Sequence, residues 1–132
     1  MFQWKDEYCV GHFDIDNQHK RLLQLAGELH VAMTAGKGND VLSACLCSVI
    51  AYAKIHFASE ERLMQKHQYP EYAQHKEAHD QLAARVVQFQ TDLKASRTAL
   101  NIQLMVVLRD WLTDHIAQND RKLAEYLRRN AA

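Results

Sequence analysis

The stretch AYAKIHFASEERLM, residues 51–64, places His56 and Glu60 four positions apart in an apolar, helix-forming run. Residues at this spacing lie one turn apart on the same face of an α-helix, and here that face also carries the apolar residues. Ionisable side chains are rarely buried without a partner. The stretch therefore predicts either that this face is less buried than its neighbours indicate, or that a positive ion lies between helices.

Length and composition narrow the class of protein. The chain has 132 residues, enough for a single domain over 1–132 with one core. Its 16 Lys and Arg balance 16 Asp and Glu, so we expect no nucleic-acid partner and no anionic membrane. No apolar run approaches the roughly 18 residues of a membrane span. The N-terminus lacks a signal peptide's pattern, so we expect a cytoplasmic location.

The cysteines do not form the pattern of a secreted disulfide framework. They are three in number, and Cys45 and Cys47 lie two apart in the apolar stretch LSACLCSVI. Such a pair can bind a soft metal, but free cysteine in an apolar helix behaves as a small hydrophobic residue. We therefore expect packed, reduced thiols here.

Apolar residues recur every three to four positions in four segments and never alternate with period two. The breaks between the segments fall at 34–40, 66–70 and 94–98. The pattern predicts an all-α protein, an up-down-up-down antiparallel four-helix bundle preceded by an N-terminal arm, 1–16. Asp40 is the expected cap of the second helix, and Pro70 suits the first turn of the third. The predicted helices span about 17–35, 40–65, 70–93 and 98–128.

Ionisable residues on the four apolar stripes are predicted to meet in one layer. In an up-down-up-down bundle, the beginnings of the first and third helices share one end with the finishes of the second and fourth. A lone histidine on such a stripe is normally a hydrogen-bonded core residue. Agreement among four helices favours a metal site, formed by His19, His56, Glu60, His75, His79, His115 and Asp120.

Five imidazoles and two carboxylates exceed the roughly four ligands of one zinc ion. Two six-coordinate ions, bridged by both carboxylates and one oxygen, would use these groups and leave one position open. Nitrogen-rich ligation with an open position suits redox-active iron. The spacing therefore predicts a dinuclear centre.

The remaining ionisable candidates are assigned other places. His30 lies on the predicted buried stripe but about 16 Å along the helix from His19, too far to join the same centre. We expect His12, in the arm, and His67, between helices, to be solvent groups. Glu61 is expected to be solvated on another face.

The spacing between His115 and Asp120 conflicts with a regular helix. Residues five apart are separated by about 140° around an α-helix, so the two side chains would not face one centre. A π-bulge between them would correct this, and such bulges occur at functional sites. We therefore predict one between these two residues.

The ligand pattern H…HxxxE…HxxxH…HxxxxD resembles the hemerythrin family, and its single-domain bacterial members most closely. Further resemblance lies in Trp4, in IDNQHKRLL at 15–23, in HFASEERLM at 56–64 and in YPEYAQHKEAH at 69–79. The resemblance covers essentially the whole chain. It implies a bundle with two Fe ions joined by an oxo or hydroxo bridge, and dioxygen as the partner. The three cysteines and His30 are not part of the family pattern.

The resemblance also implies a role for each site residue. His75, His79 and His115 would hold one iron, His19 and His56 the other, and the carboxylates Glu60 and Asp120 would bridge them. The second iron would keep the open position. The implied wall of the oxygen pocket, which plain core packing would equally explain, is Phe57, Tyr69, Trp111, Leu112 and Ile116.

The expected function is therefore reversible dioxygen binding for storage, delivery or scavenging, and not catalysis. One alternative is a di-iron enzyme acting on peroxide, nitric oxide or iron itself; another is an oxygen or redox sensor with an unknown protein partner. Four-helix di-iron enzymes use carboxylate-rich sites with Glu-x-x-His motifs. Histidines outnumber carboxylates at this site and that motif is absent from it, which favours reversible binding.

Overall fold

The computed structural model describes residues 2–95 and 102–130, except for the side chains at 102–104, 116 and 117. All regular structure in this part of the chain is helical. A 3-10 turn at Asp6–Tyr8 precedes α1, and the last three helical elements follow one another without a break. The elements are α1 Phe13–Thr34, α2 Asn39–Lys66, α3 Tyr72–Lys94, α4 Ile102–Asp114, a π-helical turn His115–Asp120, and α5 Arg121–Arg129.

The predicted all-α four-helix bundle is confirmed. α1 packs on α2, α2 packs on α3, and α4 packs against α1. α4, the π-turn and α5 together form the fourth helix. The beginnings of α1 and α3 therefore share one end of the bundle with the finish of α2 and with the π-turn.

Three helix boundaries differ from the sequence prediction. α1 begins at Phe13, before the predicted position 17, because the His12 Nδ1 atom accepts a hydrogen bond from the Ile15 amide at 3.3 Å and caps the helix. His12 is thus a half-buried cap rather than a solvent group. The cap of α2 is Gly38, and Asp40 lies in the first turn, where its charge favours the helix dipole.

The α2–α3 connection ends the second helix with a left-handed residue, which moves the start of α3 past Pro70. Gln68 has φ +53°, and the Tyr69 amide donates to the Met64 carbonyl at 2.8 Å, as in a Schellman motif. The Tyr126 hydroxyl donates to the carbonyl of His67 at 2.7 Å. Pro70 consequently lies in the turn, not in the first turn of α3, which begins at Tyr72.

Two apolar cores lie on either side of the predicted polar layer. The larger core holds Leu22, Phe57, Leu108 and Leu112 among others, and the arm residue Phe2 closes it. The smaller core holds Val10, Ile15, Met64, Tyr69, Leu123, Ala124 and Leu127. Each helix thus contributes apolar side chains above and below the polar residues that it carries.

α2 is more apolar than we expected from the sequence. It contains an 18-residue window of mean hydropathy 1.7, so by length and composition it could cross a membrane. The expectation that no run approaches this length is wrong because serine and tyrosine interrupt the apolar run without lowering its hydropathy much. A core helix has the same composition, and α2 packs between α1 and α3 in the bundle.

The arm is attached to both ends of the folded chain. The buried Asp16 carboxylate accepts hydrogen bonds from the Val10 amide at 2.8 Å and the Gly11 amide at 3.3 Å. The Arg128 guanidinium donates to the Val10 carbonyl. Gly11 has φ +84°, a conformation that L side chains rarely adopt, and a Cβ there would displace the Arg128 guanidinium, so glycine is favoured at this position.

Replacing Asp16 with alanine should loosen the arm and destabilise the fold. Two amides lose their acceptor, and the one at Val10 is buried, so we expect a loss of about 1–3 kcal/mol. The Asp16→Asn variant, which keeps one acceptor oxygen, should lose less. Urea unfolding and limited proteolysis of the arm measure the effect; equal stability of Asp16→Ala and the unaltered chain would contradict it.

Candidate metal centre

The seven predicted residues converge on one buried layer. α1 supplies His19, α2 supplies His56 and Glu60, α3 supplies His75 and His79, and the π-turn supplies His115 and Asp120. Their side chains are all between 0% and 5% exposed. The layer lies between the larger and smaller apolar cores, which shield its polar side chains from water.

The Asp120 carboxylate is placed between two sets of histidines. Its Oδ1 atom lies 3.0 Å from His115 Nε2 and 3.1 Å from His75 Nε2. Its Oδ2 atom lies 2.6 Å from His19 Nε2 and 3.3 Å from His56 Nε2. Each oxygen thus faces a different pair of imidazoles, as a carboxylate that bridges two ions must.

Glu60 occupies a comparable central position on α2. Its Oε1 atom lies 3.1 Å from His56 Nε2 and 3.2 Å from His79 Nε2. The same oxygen is 3.6 Å from His115 Nε2 and 3.7 Å from His75 Nε2. All five imidazoles therefore direct Nε2 toward one carboxylate or both.

The ligand atoms form two groups that share Asp120. One group contains five residues and the other three, with all ligand atoms of a group within 4.8 Å of one another. His30 lies outside both; it is half-buried and its ring makes an edge contact with Phe2 at 6.1 Å. The two groups are Glu60, His75, His79, His115 and Asp120, and His19, His56 and Asp120.

The predicted π-bulge is confirmed, since residues His115–Asp120 form a π-helical turn. In a π-helix the backbone hydrogen bonds join residues five apart, which brings side chains at that spacing onto one face. The 3.0 Å separation of Asp120 Oδ1 from His115 Nε2 is the result. Beyond the turn, Leu123 and Leu127 continue into the smaller core.

The layer contains buried polar atoms that no protein group satisfies. Glu60 Oε2 has no hydrogen-bond partner, and the approaches of His75 Nε2 and His115 Nε2 to Asp120 Oδ1, at 3.1 Å and 3.0 Å, do not have hydrogen-bond geometry. Buried polar atoms without partners are rare because desolvation costs free energy. Metal ions would satisfy these atoms, and the mixed imidazole and carboxylate donors suit iron. The residues therefore fit a metal pair.

Electrostatics in the metal-free layer favour charged histidines. Burial alone would lower the pKa of His56 and of His115, but the charges of Glu60 and Asp120 outweigh it and raise these pKa values to about 9 and about 10. The pKa of His75 is raised for the same reason. Burial would raise the pKa of each carboxyl, and repulsion by Asp120 adds to this at Glu60, yet the imidazoles hold both pKa values well below the ordinary range.

Three residues that sequence reasoning missed hold the other nitrogen of a ligand ring. His56 Nδ1 donates to Gln18 Oε1 at 2.6 Å, and His79 Nδ1 donates to Glu61 Oε2 at 2.9 Å. The Asn119 amide lies 3.2 Å from His115 Nδ1. Such partners fix the orientation of the ring and the tautomer that presents Nε2 to a metal. The expectation that Glu61 is solvated is wrong.

A signal for these partners exists in the sequence. Gln18, Glu61 and Asn119 each lie directly beside a predicted ligand, namely His19, Glu60 and Asp120. Gln18 and Glu61 each contact a histidine of another helix. Adjacent residues on a helix point about 100° apart, so a ligand's neighbour reaches the adjoining helix.

Aromatic side chains enclose part of the layer. Phe57 stacks on His79 with ring centroids 4.1 Å apart and 14° between planes. Trp111 lies 6.4 Å from His115, and Tyr69 lies 6.4 Å from His75, both measured between centroids. Leu112 is buried one turn before His115. The side chain of Ile116, the fifth predicted wall residue, lies outside the described part of the chain.

A groove between α3 and α4 reaches the layer from the surface. Its lining includes Leu82, Trp111 and Asn119, and it extends to His115. Arg85, Asp110 and Asp114 give its outer part polar walls. The layer is thus closed by apolar cores above and below and approached by a groove at its side.

The cysteines and His67 take no part in the two groups. Cys45 is half-buried against the larger core, as expected for a packed thiol. Cys47 is exposed, so the expectation of a packed thiol is wrong for this residue. His67, expected in solvent, is half-buried at the end of α2.

Four antiparallel helices around a layer of histidines and carboxylates define a metal-binding four-helix bundle. The model of the hemerythrin HHE cation binding domain matches residues 10–127. The chain belongs to the hemerythrin family.

Similar proteins are found among bacteria and among solved structures. Bacteriohemerythrin of Stenotrophomonas maltophilia (strain R551-3) is 31% identical, covering 97% of this chain and 82% of that protein. Bacteriohemerythrin of Methylococcus capsulatus (strain Bath) is 33% identical over 80% of each chain. A crystal structure of wild-type hemerythrin has a TM-score of 0.87 at 31% identity, covering 95% of this chain and 96% of that one.

Glu61→Ala should weaken metal retention although Glu61 is not itself a predicted ligand. His79 would lose its Nδ1 acceptor and with it a fixed ring orientation, so we expect release of iron to a chelator to accelerate about 10- to 100-fold. Glu61→Gln keeps an acceptor oxygen and should fall between. Glu125→Ala, on the exposed side of α5, is the control. Equal release rates in all four proteins would contradict this role.

The metal-free chain should be most stable in mildly acidic solution. Histidines with pKa values raised to about 9 and about 10 stabilise the fold fully below their unfolded value near 6.5, and this contribution disappears as pH rises through 9 to 10. The carboxyls, whose pKa values are lowered, contribute above about pH 4.5 and lose this contribution in acid. Thermal midpoints across pH 4–10 should therefore peak near 5–6. A midpoint that rises from pH 6 to pH 9 would contradict the sign.

Proposed function

We propose that this chain binds dioxygen reversibly at a di-iron centre, for storage, delivery or scavenging. The observation that carries the proposal is the position of Asp120, whose two oxygens face two separate histidine pairs in a fully buried layer. Membership of the hemerythrin family and relatives named bacteriohemerythrin support the same reading.

The two groups of ligands give each residue a place. His75, His79 and His115 would hold one iron, and His19 and His56 would hold the other. Asp120, common to both groups, would be shared, and so would Glu60, whose Oε1 lies 3.1 Å from His56 Nε2 and 3.2 Å from His79 Nε2. When bound, the iron pair supplies the electrons that dioxygen takes up and returns on release. The smaller group has one histidine fewer, so an iron held by His19 and His56 would be the one with room for dioxygen.

The chain's own residues protect the site from water. Phe57 covers the face of His79 and lies 5.9 Å from the His56 ring, while Leu112 and the larger core close the same side. Water or anions reaching the centre would favour irreversible oxidation, and this apolar packing excludes them from the side of His56 and His79. Gln18 and Glu61 keep the rings of His56 and His79 directed inward throughout the cycle.

One observation favours a second candidate, a di-iron enzyme. The groove between α3 and α4 connects solvent with His115, and Asp110 and Asp114 make part of its wall acidic. Arg85 lines the same groove and Arg109 pairs with Asp110 at 3.0 Å, so the groove favours access of a small substrate without selecting its charge. Reversible binding stays the first proposal because histidines outnumber carboxylates in the layer.

The deciding experiment is a metal count combined with a visible spectrum under controlled oxygen. The iron-loaded chain is reduced without oxygen, exposed to oxygen, and returned to anaerobic conditions over several cycles. Two irons per chain and an absorption band that appears and disappears with oxygen are expected. Irreversible oxidation would favour the enzyme or a sensor, and failure to hold two metals would contradict the di-iron centre.

A glutamate pair provides the matched control for that experiment. Glu60→Ala removes a buried shared ligand and should retain fewer than two irons, whereas Glu125→Ala removes an exposed carboxylate and should keep both. If Glu60→Ala kept two irons and still bound and released oxygen reversibly, the assignment of Glu60 as a ligand would be wrong.

Leu112→Ala should keep both irons but oxidise faster in air. Leu112 is 3% exposed and lies in the core that borders the layer, so truncation opens space for water beside the centre. Leu93→Ala removes the same volume from a buried position at the far end of α3. We expect a several-fold faster loss of the oxygenated spectrum in Leu112→Ala alone. Equal rates in the two variants would show that general loosening is responsible.

A further inference from the structure

The outward side of α2 is unusually apolar for a helix surface. Val41 is 46% exposed and Ile55 is 58% exposed, and both lie on this side. No exposed residue between Asp40 and Lys54 carries a charge, over a length of about 20 Å. Surface helices normally place charged residues on the face away from the core. We name this surface the outer face of α2: Asp40, Val41, Ala44, Cys47, Ser48, Ala51, Lys54 and Ile55.

Heptad spacing divides the outer face of α2 into three rows. Positions 40, 47 and 54 follow one another at intervals of seven and form one edge, Asp40, Cys47 and Lys54. Positions 41, 48 and 55 form the opposite edge, and Ala44 and Ala51 lie in the middle. The Ser48 hydroxyl donates to the Ala44 carbonyl at 3.3 Å, so it brings no free donor to the face.

The outer face of α2 is complementary to itself when two copies meet antiparallel. With a two-fold axis beside Cys47, each edge meets the same edge of the second copy, as in antiparallel helix pairs. Asp40 then faces Lys54 of the other copy, and Lys54 faces its Asp40. In a parallel pair this charged edge would instead face the uncharged edge, so the charges select the antiparallel arrangement.

The apolar residues follow the same symmetry. Val41 meets Ile55 of the second copy, and Ala44 meets Ala51, which allows the two helix backbones to approach closely. Cys47 lies beside its own counterpart at the axis. Under the two-fold axis, each charged residue therefore meets an opposite charge, each large apolar residue meets a large one, and each alanine meets an alanine.

We propose that the outer face of α2 binds a second copy of this chain in an antiparallel, two-fold contact centred on Cys47. His56 and Glu60 point into the bundle, so the contact leaves the metal layer untouched and does not depend on the proposed function. One helix pair buries less than a standard interface, so the dimer is weak and depends on concentration.

Sedimentation of the iron-loaded chain tests the contact through its charges. We expect a monomer–dimer equilibrium that Lys54→Asp weakens about tenfold or more, because two attractive pairs become repulsive. The double variant Asp40→Lys, Lys54→Asp exchanges the charges and should restore dimerisation. Arg21→Asp, an equal charge change on exposed α1, is the control.

Cysteine cross-linking locates the two-fold axis. A chain that keeps only Cys47, with Cys9 and Cys45 changed to serine, should form a covalent dimer when diamide oxidises the paired thiols. A chain that keeps only Cys9, which is also exposed, should not. Circular dichroism confirms that both chains are folded.

Three outcomes would overturn the proposal. The first is a monomer at all concentrations up to about 1 mM. The second is a dimer that charge reversal does not weaken and in which Cys47 does not form a disulfide. This result would place the contact elsewhere. The third is a chain that remains monomeric in solution and co-sediments with phosphatidylcholine vesicles, which would assign the outer face of α2 to a membrane.

Discussion

The burial of two carboxylates among five imidazoles is the constraint on which the rest of the structure depends. Glu60 and Asp120 have no exposed surface, and a buried charge without a partner would cost far more than the net stability of the domain. Each helix must therefore bring its imidazoles to the same height. The short connections, the two flanking cores and the arm all serve this alignment. The apolar cores bury the polar layer, and the pairing of imidazoles with carboxylates within the layer sets the height of each helix relative to the others.

Within residues 2–95 and 102–130, one segment leaves regular α-helical geometry to meet that constraint. The π-turn at His115–Asp120 inserts an extra residue, so that Asp120 faces the layer and Leu123 still faces the smaller core. Without it, either the shared carboxylate or the apolar residues of α5 would point to solvent. A local loss of ideal backbone hydrogen bonding thus preserves both the charge balance of the layer and the burial of α5.

The sequence predicted the bundle, the seven converging residues and the π-turn, because these depend on periodicity and on the alternation of helix direction. It did not predict contacts that depend on how far each helix is rotated, such as the one between Glu61 and His79. It also misplaced the starts of α1, α2 and α3. α1 is capped by His12 and α2 by Gly38 rather than by Asp40. The left-handed Gln68 ends α2 so that Pro70 lies in the turn before α3. The exposure of Cys47 was missed because a free cysteine in an apolar helix was expected to pack as a small hydrophobic residue.

Gln18 and Glu61 have a consequence for the kinetics of metal exchange. Each is the immediate neighbour of a ligand on its own helix, yet each holds a ligand ring of the adjoining helix. A rotation of α1 that withdrew His19 would also pull Gln18 away from His56, and a rotation of α2 that withdrew Glu60 would release His79. The helices are therefore braced against independent rotation. Ions would enter and leave by a concerted separation of helices, on the timescale of partial unfolding, rather than one ligand at a time.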